Sequence, residues 1–136
     1  MLARLLLTST ALLVASSPVL AHHAFSAEFD ANRPMTLTGT VNRTEWINPH
    51  SWIHVDVEDE NGNIVTWAIE CGAPNSLMRR GLNKNSIPVG TELVIDGFGA
   101  KAGSNTANAR DITFPDGSQF FVGSSGTGAP YDGPPE

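Results

Sequence analysis

Hydrophobic and polar residues alternate one by one along much of this chain, which is the spacing of half-buried β-strands. In the first such run, Met35, Leu37 and Val41 alternate with threonine and asparagine side chains. The same kind of pattern predicts further strands at residues 51–58, 64–70, 91–98, 107–114 and 119–122. The chain is therefore predicted to be an all-β protein.

Turn and helix signals separate these strands. Asn61-Gly62, between the second and third strands, is a strong hairpin signal. A short helix is predicted over residues 75–80, because Pro74 suits a first helical turn and Gly81 suits a helix C-terminus. Three strands, one short helix and two further strands make the element order of an OB-type barrel. We therefore predict a small OB-like barrel of five to six strands, with the helix between strands three and four. A small β-sandwich is the alternative, since element order alone does not exclude it.

An apolar leader precedes the strands. It has a positive start at Arg4, an apolar run, and small residues that end at Val19-Leu20-Ala21, as in a secretory signal peptide. The apolar run is shorter than the ~20 residues of a membrane-spanning helix, which argues against the alternative of a retained anchor. We predict cleavage after Ala21, and hence a periplasmic or secreted bacterial protein with no stable membrane anchor.

The predicted cleavage divides the chain into three parts. Residues 1–21 are the signal peptide, and residues 22–122 are a single β-barrel domain that begins with an extended arm over residues 22–33. Glycine, serine, threonine and proline dominate from Gly123 onward, which predicts a disordered tail over residues 123–136.

Charge and motif content exclude several classes of function. The net charge is −6, with 8 basic and 14 acidic residues, so the chain lacks the basic surface that nucleic-acid binding requires. The sequence contains no nucleophile-elbow serine motif, no phosphate-binding glycine loop and no HExxH motif. Composition and motifs therefore give no positive indication of an enzyme.

Cys71 is the only cysteine, so no intrachain disulfide can form. We interpret it as a small buried hydrophobe at the end of a strand. A metal ligand or an intermolecular bridge is the alternative for an unpaired cysteine in an exported protein.

The sharpest chemical signal is the histidine pair at the predicted cleavage site. After cleavage, His22 would carry a free amine and an imidazole on one residue, followed at once by His23. Amine and imidazole nitrogens suit copper or zinc, and a metal competes readily with the proton of an α-amine. Such a chelate, with one more imidazole, resembles the histidine brace of copper monooxygenases and periplasmic copper carriers. A solvated terminus with adventitious affinity is the alternative.

The second pair, His50 and His54, flanks Trp52. Positions four apart share one face of a strand but lie about 13 Å apart if the strand is straight. Asn48-Pro49 immediately precedes His50, and a turn there would shorten that distance. Either ring is a candidate ligand for a metal held by the N-terminal arm; a structural role on the strand is the alternative.

Two tryptophans offer a different kind of site. Trp46 and Trp52 bracket the Asn48-Pro49-His50 segment. They would form an aromatic platform for a sugar or a base if both were exposed together. Packing at one end of the barrel is the alternative.

A set of sequence landmarks resembles a family of small exported bacterial proteins of unknown function. The resemblance runs from His22 to about Gly123 and implies an exported single domain, but no activity and no established site. The landmarks are His22-His23-Ala24-Phe25, Phe29-Asp30, Gly39-Thr40-Val41, Glu45-Trp46-Ile47-Asn48-Pro49-His50, Trp52, Asp56-Val57, Pro74-Asn75, Arg79-Arg80-Gly81, Pro88-Val89-Gly90 and Asn108-Ala109-Arg110.

The leading expectation is an exported binding or carrier module that binds copper, with His22, His23, His50 and His54 as candidate ligands. The alternative is an OB-type module that binds a saccharide, a peptide or an envelope protein through Trp46 and Trp52. Copper redox catalysis is a third hypothesis, for which the sequence shows neither an open coordination position nor a substrate surface.

Overall fold

The computed structural model describes residues 25–131. The predicted signal peptide, its cleavage site, His22 and His23 lie outside these residues. No helix among residues 25–131 is long and apolar enough to cross a membrane. In chain order the elements are α1 (Phe25–Glu28), β1 (Phe29–Glu45), β2 (Trp52–Glu58), β3 (Ile64–Glu70), α2 (Pro74–Arg79), β4 (Glu92–Ala100), β5 (Thr106–Thr113) and β6 (Gln119–Phe121).

The first five strands close into a ring. Antiparallel pairing joins β1 to β2 and to β4, β2 to β3, and β4 to β5. Parallel pairing of β3 with β5 then completes the barrel, with Ala68 opposite Thr106 and Glu70 opposite Asn108. Strand β6 extends the sheet along β5. The predicted all-β, OB-like barrel of five to six strands, with one short helix between strands three and four, is confirmed.

The barrel interior follows from the alternation in the sequence. On β2, Ile53 and Val55 are buried, whereas Trp52, His54 and Asp56 are only partly buried on the outer face. Leucine, isoleucine and valine side chains from every strand of the ring and from α2 join this core. Burial of each such side chain contributes roughly 1.5–3 kcal/mol, so the interior supplies the main stabilisation.

The N-terminal arm differs from the extended segment expected over residues 22–33. Residues Phe25–Glu28 form one helical turn, and β1 already begins at Phe29, opposite Ala100. The β1–β4 register shifts between Phe29 and Pro34. Proline has no N–H to donate to a ladder and is tolerated at such an irregularity, so Pro34 marks a bulge rather than the start of the strand.

Both ends of the described chain pack together on the outside of the barrel. Phe25, Phe29, Ala100 and Ala129 form a second buried cluster, against which Phe98 and Tyr131 pack. The Phe25 and Phe98 rings meet edge to face at 5.4 Å, and Phe98 stacks on Tyr131 at 6.0 Å. We call this group the outer cluster.

Residues 123–131 differ from the disordered tail that composition predicts. Ser124, Thr127 and Ala129 are buried, and the Thr127 carbonyl accepts a hydrogen bond of 2.9 Å from the Phe25 amide. A Cβ atom at Gly123 would overlap the Tyr131 ring, so the glycine is there for close approach rather than for flexibility. A few well-placed contacts therefore hold a segment of low-complexity composition on the barrel.

Two glycines on β4 test this packing. A Cβ atom at Gly97 would overlap the carbonyl oxygen of Asn108, whereas a Cβ atom at Gly99 would meet only side chains, at ordinary contact distances of 3.5 Å or more. We expect Gly97→Ala to lower the free energy of unfolding by about 1–3 kcal/mol. The control Gly99→Ala is expected to be neutral or slightly stabilising. Urea unfolding checks both, and equal midpoints for the two variants would contradict the tight β4–β5 contact.

Candidate functional site

His50 lies on the connection between β1 and β2, at one end of the barrel. Two backbone hydrogen bonds, from the Ser51 amide to the Gly72 carbonyl at 3.0 Å and from the Cys71 amide to the Ser51 carbonyl at 2.8 Å, continue the β2–β3 pairing beyond Trp52. Ser51 is buried, so the period of two puts the neighbouring His50 on the outer face. The His50 side chain is 12% exposed.

His50 belongs to a network of polar side chains that also includes Ser124, Glu70, Asn108 and Tyr131. We call these five residues the His50 cluster. The Nδ1 atom of His50 lies 3.2 Å from the Ser124 hydroxyl and 3.9 Å from Glu70 Oε1. The same Glu70 oxygen accepts a hydrogen bond of 3.1 Å from the Asn108 side-chain amide. The Tyr131 hydroxyl in turn donates to Asn108 Oδ1. The network thus links the β1–β2 connection, β3, β5 and the C-terminal segment.

Strand register explains why Glu70 and Asn108 meet. They are direct partners in the parallel β3–β5 pairing, and both are nearly buried, at 8% and 2% exposure. A buried carboxylate is costly unless it is paired and hydrogen-bonded. The cluster therefore has a structural reason to exist, and it places a negative charge beside an imidazole.

A small cavity of about 120 Å³ adjoins the cluster. It is lined by Pro49, His50, Ala73, Ser76, Ser124, Ser125 and Thr127. The Thr127 hydroxyl is buried and has no hydrogen-bond partner among the described residues. A volume of this size corresponds to about four waters, so the cavity is too small for a large ligand.

The N-terminal end of the described chain starts beside this cavity. Thr127 contributes to the cavity wall, and its carbonyl holds the Phe25 amide at 2.9 Å. The buried Phe25 ring anchors the same residue in the outer cluster. Phe25, the first described residue, is therefore held next to a residue that lines the same cavity as His50.

His54 belongs to a different group. Its Nε2 atom lies 3.1 Å from an Arg43 guanidinium nitrogen and 3.2 Å from Glu45 Oε1. Arg43 and Glu45 also pair with each other at 2.9 Å. His54 is thus held within an ion pair on the outer face of β1 and β2. A guanidinium beside the ring disfavours a metal cation there.

The described part of the chain does not hold a complete metal site. No group of three or more His, Cys, Asp and Glu side chains within residues 25–131 is arranged to hold a metal ion. His50 and His54 are separated along the outer face of β2 and have different partners.

The two tryptophans do not share an environment. Trp46 packs against the barrel core, and its indole N–H is buried without a hydrogen-bond partner among the described residues. Trp52 lies on the outer face, between its strand partners Glu45 and Glu70. The structure therefore does not bring the two rings together as one platform.

Sequence patterns did not identify Glu70, Asn108, Ser124 or Tyr131 as parts of a site. The β3–β5 pairing that joins the first two is parallel and connects strands distant in the chain, so alternation within either strand carries no trace of it. The available signal was a glutamate at the buried end of a strand rich in apolar residues.

Cys71 is fully buried in the barrel core, as its interpretation as a small hydrophobe predicts. Burial, and to a lesser extent the charge of Glu70, raises the pKa of the Cys71 thiol far above its ordinary value. The protonated thiol is not the reactive form. We expect no reaction with Ellman's reagent at pH 8 in the folded protein and one equivalent in denaturant. Rapid labelling without denaturant would contradict the burial.

Comparison with known proteins places the chain in a family without assigning it a role. No curated protein and no solved structure matches it. A family model does match, over residues 11–109. That span covers most of the chain, including His22, His50 and Glu70, and it confirms the resemblance to a family of unknown function. The chain belongs to the family of unknown function DUF6152.

Proposed function

We propose that this protein is an exported bacterial carrier that binds copper between its mature N-terminus and His50. The His22 amine and imidazole would supply two nitrogens, and the His50 imidazole would supply a third. The observation that carries the proposal is the hydrogen bond from the Phe25 amide to the Thr127 carbonyl. It fixes the start of the described chain beside the cavity that His50 lines.

Chain length makes this pairing feasible. An extended chain spans at most about 3.3–3.6 Å per residue, so the His22 Cα atom lies within about 11 Å of the Phe25 Cα atom. The length of the His22 side chain adds to this reach. His23 has the same access but cannot supply the amine, and we therefore assign it a secondary role.

The chemistry of the donor set favours copper. Imidazole and amine nitrogens suit Cu(II), and the amine binds only after losing its proton, which a competing metal promotes. Among residues 25–131, the polar partners of the His50 ring, Ser124 and Glu70, both lie at Nδ1. The Nε2 atom is thus the ring nitrogen left for a metal. His54, which is engaged by Arg43 and Glu45, is not part of the proposed site.

A binding or transport role fits these features better than the alternatives. Catalysis would require a substrate surface beside the metal, and the cavity at His50 is small. Binding of a saccharide, a peptide or an envelope protein through Trp46 and Trp52 is less well supported, because Trp46 packs against the core.

Copper titration of correctly processed protein tests the proposal. Intact mass first establishes that the chain begins at His22. We expect a form with an acetylated His22 amine to bind Cu(II) at least tenfold more weakly, because the acetylated nitrogen can no longer act as a ligand. Equal affinity of the two forms would exclude the chelate.

Two histidine variants separate the candidate rings. We expect His50→Ala to lower Cu(II) affinity at least tenfold, about 1.4 kcal/mol, while the matched control His54→Ala stays within twofold of wild type. Circular dichroism checks that each variant is folded. Equal losses in both variants, or a loss only in His54→Ala, would contradict the assignment of His50.

A further inference from the structure

We infer that Glu70 is a positioning residue for His50: it holds the proton of the ring on Nδ1 and so presents Nε2 to a divalent metal ion. This inference rests on the proposed copper site and names the group that tunes it. Metal-bound histidines commonly direct their second ring nitrogen to a carboxylate or another acceptor, which fixes the tautomer and raises the basicity of the ligand.

The contacts of Ser124 are compatible with a proton on His50 Nδ1. The Ser124 hydroxyl has one proton and lies 3.5 Å from the Cys71 carbonyl oxygen, which can only accept. If the proton goes to that carbonyl, the Ser124 oxygen accepts from His50 Nδ1, at 3.2 Å. The proton of the neutral ring is then on Nδ1, and Nε2 carries the free lone pair.

The charge of Glu70 favours the tautomer with the proton on Nδ1. Its Oε1 atom lies 3.9 Å from His50 Nδ1, which is too long for a hydrogen bond but close enough for attraction between the carboxylate and an N–H at Nδ1. A carboxylate at this position stabilises an N–H at Nδ1 and repels a lone pair there. It also adds negative charge beside a bound cation, which favours Cu(II) over Cu(I).

The carboxylate is itself held in place. Asn108 donates to Glu70 Oε1 at 3.1 Å, Tyr131 donates to Asn108, and the β3–β5 register places Glu70 and Asn108 side by side. The Glu70 carboxylate beside His50 Nδ1 is therefore held in place by the β3–β5 pairing and by its hydrogen bond with Asn108.

The chain offers a matched control for this inference. Glu45 faces His54 at 3.2 Å on the same outer surface, and both glutamates neighbour Trp52 in the strand pairing. Glu70→Gln and Glu45→Gln make the same isosteric change and remove the same charge. Only the first variant alters the partner of His50.

The first readout is the tautomer of His50 in metal-free wild-type protein, from the ¹⁵N shifts of its imidazole. We expect Nδ1 to be protonated at a pH where the ring is neutral. Protonation at Nε2 instead would overturn the inference, and this result requires neither a variant nor copper.

The second readout is Cu(II) affinity of the processed protein, with its electron paramagnetic resonance spectrum. We expect Glu70→Gln to weaken Cu(II) binding 10–100-fold and to change the spectrum, while Glu45→Gln leaves both unchanged. If Cu(II) binding to the wild type depends on the His22 amine but the Glu70→Gln and Glu45→Gln variants bind equally well, only the role of Glu70 is overturned. If Cu(II) binding to the wild type does not depend on the His22 amine, the proposed copper site is overturned and this inference with it.

Discussion

The parallel pairing of β3 with β5 closes the barrel and creates the polar cluster beside its core. It converts an open sheet into a closed barrel, which gives the core its second wall. It also brings together Glu70 and Asn108, which are distant in the chain: the Asn108 side-chain amide lies 3.1 Å from Glu70 Oε1. The same few backbone contacts that complete the fold therefore create the polar cluster beside His50.

The termini of the described chain add a second layer to this barrel. Phe25 and Tyr131 both pack in the outer cluster, and Tyr131 also donates to the Asn108 side chain. In OB folds the loop between strands one and two and the loop between strands four and five flank the usual ligand surface. Here α1 packs beside the second of these loops, where the Lys101 amide donates to the Glu28 carbonyl at 2.9 Å. The first described residues thus pack beside one of these two loops.

Local sequence patterns predicted the barrel well. The features that they did not predict depend on contacts between residues distant in the chain. Alternation on β2, with Ile53 and Val55 inside, and the Asn61-Gly62 turn were sufficient to order the first strands. Burial of Cys71 followed from its place at the end of β3. The order of residues 123–131 was not predictable from composition, because it depends on specific contacts of Thr127, Ala129 and Tyr131 with distant parts of the chain.

The candidate site shows the same division. His50 was identifiable as a possible ligand because histidine beside a turn is a visible chemical signal. The separation of about 13 Å from His54 in a straight strand was also predictable, but the side-chain partners of each ring were not. Arg43 and Glu45 engage His54, whereas Ser124, from the C-terminal segment, engages His50.

Paramagnetic broadening by Cu(II) would locate the ion on ¹⁵N-labelled, correctly processed protein. With substoichiometric copper bound at His50, the amide signals of His50, Ser124 and Thr127 should disappear first while that of His54 persists. Broadening centred on His54, or spread over the acidic surface without preference for His50, would contradict binding at His50.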